Sequence, residues 1–115
     1  MIELKKEFDT NKYHLHHRQL FKDGDLVIYE ISQPKVDDGG YSIWYEVFKY
    51  MVNPPDQYHD DEYELYPKSD EYYGIWAWSC SNIGVVDKVL KREFPNHPMA
   101  KNGFGSHLSI METAN

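Results

Sequence analysis

Two histidines one residue apart are the first candidates for chemistry. They are His14 and His16, in the run His14-Leu15-His16-His17. Side chains alternate along a β-strand, so on a strand His14 and His16 would share a face. Such a pair can chelate zinc when a third protein ligand completes the set. His59 and Asp60, with Asp61 beside them, are the candidates for the third place. No spacing rule joins these two segments, so the motif alone carries little weight. A polar strand face with His17 opposite Glu30 explains the same residues. The expectation is no cofactor; the alternative is zinc or another divalent metal in a small His/Asp enzyme.

The carboxylates are the second candidates. Asp56, Asp60, Asp61, Glu62, Glu64, Asp70 and Glu71 fall within sixteen residues, against the single base Lys68. The alternating oxygen ligands and central glycine of a calcium loop are absent. A solvated loop accounts for the cluster, and so does a docking surface for a basic protein. Tyrosines and tryptophans crowd the same part of the chain. Partly exposed Tyr and Trp are common interface anchors, because they offer large area at little rotamer entropy. The expected interaction surface therefore comprises Trp44, Tyr45, Tyr50, Asp60, Asp61, Glu62, Tyr63, Glu64, Tyr66, Tyr72 and Tyr73.

Charge sharpens the location. The chain has 115 residues and a formal charge of −7. Residues 37–73 hold ten acids and two bases, whereas the remainder holds nine acids and ten bases. An acidic stretch interleaved with aromatics argues against nucleic acid and anionic membrane, both of which select basic surfaces. Cys80 is the only cysteine. An internal disulfide and a cysteine zinc cluster are thereby excluded, and a cytoplasmic protein is expected. The N-terminus lacks the apolar core of a secretory signal. No stretch is long and apolar enough to span a bilayer as a helix.

The elements that must position these residues are legible from turn and periodicity signals. Asp23-Gly24 between two β-prone runs predicts a type I′ hairpin. It joins strands over about 13–21 and 26–33, with Phe21 opposite Leu26 and His17 opposite Glu30. Asp37-Asp38-Gly39-Gly40 predicts a second turn. Residues 41–52 read as a long strand, apolar on both parities. Shorter strands are expected at 62–66 and 74–79, and Ser69 is expected to cap a single helical turn. Ser81-Asn82 opens a helix whose apolar stripe is Ile83, Val86, Leu90 and Phe94.

The fold class is α+β: an antiparallel sheet of about five strands with one C-terminal amphipathic helix packed on one face. Residues 1–115 form a single domain, and the first eight can add an edge strand. One helix cannot cover both faces of such a sheet. The other face requires the C-terminal tail, a second chain or a ligand. The expected function is a small, acidic, non-enzymatic protein-interaction module of adaptor or inhibitor type with a basic protein partner. A homodimeric structural domain is a further alternative.

Overall fold

The computed structural model describes residues 1–10, 14–35, 39–68 and 70–113. The strands are β1 (Glu7–Thr10), β2 (Leu15–Asp23), β3 (Leu26–Pro34), β4 (Tyr41–Lys49), β5 (Val52–Asn53), β6 (Tyr63–Glu64) and β7 (Ala77–Cys80). The helices are α1 (Ile83–Glu93), α2 (Pro98–Asn102) and α3 (Phe104–Thr113). Strands β1-β2-β3-β4-β7, in that order, form one antiparallel sheet, and β5 pairs with β6 in a separate ribbon. The α+β class therefore holds, with a five-stranded sheet and short helices.

Several boundaries differ from the sequence reading. The fifth strand of the sheet is β1, not the 62–66 segment, of which only Tyr63–Glu64 is extended. The expected 41–52 strand ends at Lys49, although the Tyr50 N–H still bonds the Asp25 carbonyl at the hairpin tip, 2.8 Å away. A single C-terminal helix is replaced by three short ones. Asn82 caps α1 by accepting a hydrogen bond from the Val85 N–H at 3.0 Å. The expected Asp37-Asp38 turn and Ser69 cap fall outside the described residues.

The first hairpin forms one step later than expected. Asp23 faces Leu26, so Gly24 and Asp25 are the central pair. Gly24 has φ +59° and Asp25 has a negative φ, the pattern of a II′ turn with glycine first. Nothing lies within 4 Å of where a Gly24 side chain would begin. Gly24→Ala is therefore expected to cost about 1–2 kcal/mol from backbone strain alone. Gly24→Asn should cost less, and urea denaturation of both variants checks the order.

A bulge between Gln19 and Phe21 shifts the register again, leaving His17 opposite Ile31 and Arg18 opposite Glu30. The extra residue lets Leu20 and Phe21 both pack into the core on the helix side. His17 consequently points to the other face, and Arg18 makes the pair with Glu30 at 3.3 Å. A one-residue shift exchanges faces in this way.

Both faces of the sheet carry a core. On one, Leu26, Ile28, Val47, Trp78 and Cys80 meet Val86, Leu90 and Phe94, with Met99 and Phe104 from the later helices. On the other, Val27, Tyr29, Ile31 and Phe48 meet Tyr66, Trp76 and Ala77. The covering element on this second face is the segment that follows β4, aided by Leu4 and Phe8. The C-terminal tail does not supply it, since Met99, Ala100 and Phe104 lie with α1 on the first face.

Candidate functional site

The acidic, aromatic segment divides into a buried part and an exposed loop. The buried part centres on Tyr66, whose ring meets Phe8, Tyr29 and Phe48 edge-on with centroids 5.0–5.2 Å away. Its hydroxyl donates to Glu46, a half-buried carboxylate on β4. That hydroxyl has one proton, so it must accept from His17 Nδ1, 3.0 Å away. His17 Nε2 then accepts from the Thr10 hydroxyl at 3.0 Å. The chain Thr10–His17–Tyr66–Glu46 thus fixes a neutral, Nδ1-protonated imidazole. Phe8 stacks on that ring with centroids 4.3 Å apart.

Burial sets the ionisation of these groups. It raises the Glu46 carboxyl above the usual range, while hydrogen bonds from Tyr66 and Tyr73 pull it back. It also raises the Tyr66 hydroxyl, with the Glu46 charge adding to the effect. Burial lowers His17 below 6.5, assisted by neighbouring His16 and opposed by Asp9. His17 and Tyr66, the middle members of the chain, are buried, whereas its ends at Thr10 and Glu46 are partly exposed. Its evident work is to pin the covering segment to the sheet.

The depressed His17 value has a sign that can be checked. The folded protein binds this proton less readily than the unfolded chain does. Stability from His17 is complete above about pH 6.5 and declines as pH falls through that value toward the folded pKa. Replacing His17 with Gln retains hydrogen-bonding capacity but cannot titrate. The melting temperature of His17→Gln should fall less than that of the native chain between about pH 7 and pH 5. Parallel slopes would show that His17 is not the titrating group.

A second polar anchor lies at the edge of the same segment. Glu64 is 8% exposed and binds Lys22 Nζ through Oε1 at 2.6 Å. The same oxygen accepts the Leu4 N–H at 2.8 Å. Burial opposes ionisation of Glu64, but the bonds from Lys22, Tyr50 and Leu4 outweigh it and hold the carboxyl below its usual value.

Between these anchors, residues 54–62 project outward. Asp56 organises the turn. Its Oδ1 accepts the Tyr58 N–H at 2.8 Å and contacts His59 Nδ1 at 3.0 Å, while Oδ2 accepts the Tyr63 hydroxyl at 2.8 Å. Backbone bonds run both ways between Asp56 and His59, and the His59 ring stacks on Tyr63 at 3.8 Å. These bonds, led by that from His59, hold the Asp56 carboxyl down at about 2. Below the loop, Ile2 bonds Glu62 and Glu64 through the backbone, tying the ribbon to the N-terminal segment. The braced loop carries Tyr58 at its tip, 80% exposed, flanked by exposed Asp60, Asp61 and Glu62.

The expected surface residues therefore separate. Asp60, Asp61 and Glu62 are exposed, and Tyr63 is half-buried as a brace. Tyr66 and Glu64 are interior, because the sheet's second face needs a ring and a counter-charge at those positions. Trp44, Tyr50, Tyr72 and Tyr73 pack against the second core, and Tyr45 packs edge-on against Phe104 at 5.4 Å on the first.

The metal candidates do not gather. His14 lies before β2 with φ +54°, outside the strand alternation that would have set it beside His16. His16 pairs with Asp9 at 2.7 Å, and His59 turns to Asp56 instead of Asp60. Among the described residues, no three His, Cys, Asp or Glu side chains form a metal-holding group. Cys80 is fully buried, and burial pushes its thiol up to about 11.

Asp56, which braces the loop, and Tyr58 at its tip are both absent from the expected surface. The signal for them was Pro54-Pro55-Asp56, a rigid entry followed by a residue that bonds the backbone two positions on. No protein-family model matches the chain, and no solved structure matches it. No helix among the described residues is long and apolar enough to cross a membrane.

Proposed function

We propose that this protein is a non-enzymatic interaction module that binds a basic protein through residues 54–62. The observation that carries this reading is the self-braced loop presenting Tyr58. An aromatic side chain 80% exposed gains most from being covered. Its mount is already ordered by Asp56, so little loop entropy remains to be lost on binding. Asp60 and Glu62, both exposed, add negative charge to the loop, while Asp61 is paired with the N-terminal ammonium; this charge steers a Lys- or Arg-rich partner and disfavours acidic ones.

Comparative affinity purification from the native host tests this reading. The bait is the native chain beside a variant carrying Tyr58→Ala, Asp60→Asn and Glu62→Gln, all exposed positions. A basic protein should be retained by the native chain, weakened by added salt and lost with the variant. Equal retention by both baits would refute the assignment.

A further inference from the structure

We infer that His59 gates the loop at 54–62, accepting a hydrogen bond from a basic partner when its ring is neutral and repelling that partner when the ring is protonated. The inference rests on the reading of this loop as a surface for a basic protein. Geometry fixes the tautomer of the neutral ring. The Asp56 carboxyl, held at about 2, is ionised and can only accept. His59 Nδ1, 3.0 Å from Asp56 Oδ1, therefore carries the proton and donates it. The lone pair of the neutral ring is left on Nε2, on the side of the ring away from Asp56. The side chain is 38% exposed.

The ring is held in one orientation. Backbone bonds join Asp56 and His59 in both directions, at 3.0 and 3.3 Å. Tyr63 stacks on the imidazole with planes 17° apart. Tyr63 is fixed in turn, donating to Asp56 Oδ2 and accepting from Asn53 Nδ2 at 3.2 Å. A proton on Nε2 leaves each of these contacts in place. It strengthens the pair with Asp56 and sets a cation against the Tyr63 face, which is favourable. The loop changes its charge and keeps its shape.

What changes is the surface that a partner meets. Residues 54–62 carry four acids and neither Lys nor Arg. Asp56 and Tyr63 lie against the ring, and Asp60 follows it in the chain. Asp61 is paired with the N-terminal ammonium, and Glu64 on β6 with Lys22. Acid places a positive charge inside this group and turns Nε2 from acceptor to donor. A lysine or arginine that donated to Nε2 then loses its acceptor and faces a like charge. An ordinary histidine makes this change at about pH 6.5, where the partner's own lysines and arginines stay charged.

The probe is an arginine–glycine repeat peptide, because arginine does not titrate in this range. Its Kd is measured at about pH 7.5 and about pH 5.5, on either side of the histidine value, with a glutamate–glycine peptide as control. The full native chain is compared with His59→Gln and His59→Asn, and melting curves establish that all three are folded. The native chain should bind the arginine peptide about tenfold more weakly in acid, the loss of one charge-assisted hydrogen bond. His59→Gln places an amide near the position of Nε2 but takes no proton. Its affinity should vary by no more than about twofold between the two pH values, from distant charges screened by salt. His59→Asn reaches Asp56 but not beyond, so its binding should be weaker than native at neutral pH and equally insensitive to acid. A native chain that prefers arginine to glutamate, with the same pH dependence as both variants, overturns the gate and leaves the loop reading standing. A native chain with no such preference at neutral pH overturns both.

Discussion

Tyr66→Ala should lower the unfolding free energy by about 3–5 kcal/mol, the range for deleting a buried aromatic ring. Tyr66 touches Phe8, Tyr29 and Phe48 and links His17 to Glu46, so its loss opens a cavity and orphans two polar groups. Tyr66→Phe separates the two contributions. It keeps the ring but removes the donor to Glu46 and the acceptor for His17. That change should cost about 1–3 kcal/mol, the penalty for leaving buried polar groups unpaired. Chemical denaturation of both variants gives the comparison. A Tyr66→Phe variant as stable as the native chain would mean that the polar chain contributes nothing to holding the segment down.

Lys22→Met should cost about 1–2 kcal/mol near neutral pH. Exposed ion pairs contribute about 0–1 kcal/mol, whereas breaking a fully buried one costs about 3–5 kcal/mol. This pair falls between the two, because Glu64 is buried while Lys22 is exposed, and Glu64 keeps the Leu4 N–H. The sign with pH follows from the lowered Glu64 value. Stability from its partners is present above the unfolded glutamate pKa of about 4.3 and is lost as pH falls through the folded value. The gap between Lys22→Met and the native chain should therefore narrow in acid. Double substitution with Glu64→Gln should recover part of the loss, since a neutral amide leaves no stranded charge. A gap that is constant with pH would assign the effect to packing of the lysine stem.

The parts of this fold that sequence reveals are those with local causes. The Asn82 cap and the apolar stripe place α1. The Gly24 turn places β2 and β3, and the β-branched run after Tyr41 places β4. Register was harder to read, because Asp23-Gly24 and Gly24-Asp25 both make acceptable hairpin turns. Choosing between them slides each β2 residue past β3 by two positions and keeps its face, so the turn alone does not settle which way His17 points. The bulge at Leu20 answers to tertiary packing of two adjacent apolar residues, which no local pattern encodes.

The candidate surface was legible in outline and illegible in detail for a related reason. A tyrosine serves a core and an interface equally well, so Tyr58 and Tyr66 look alike in sequence. What separates them is the partner each finds: Glu46 and His17 for Tyr66, solvent for Tyr58. The same holds for the acids. Glu64 meets Lys22, forty-two residues away, while Asp60 and Glu62 face outward. Apolar residues on both parities of β4 did reflect coverage on both faces, at Val47 and Phe48. The covering element on the second face was the acidic segment itself.

The central claim is that the braced loop and its tip, not the buried aromatics, form the working surface. A binding titration of the basic partner against the native chain and Tyr58→Ala tests it most directly. An anchor residue typically contributes about 2 kcal/mol, so Kd should rise about 30-fold with no change in melting temperature. An unchanged Kd for Tyr58→Ala would contradict the account.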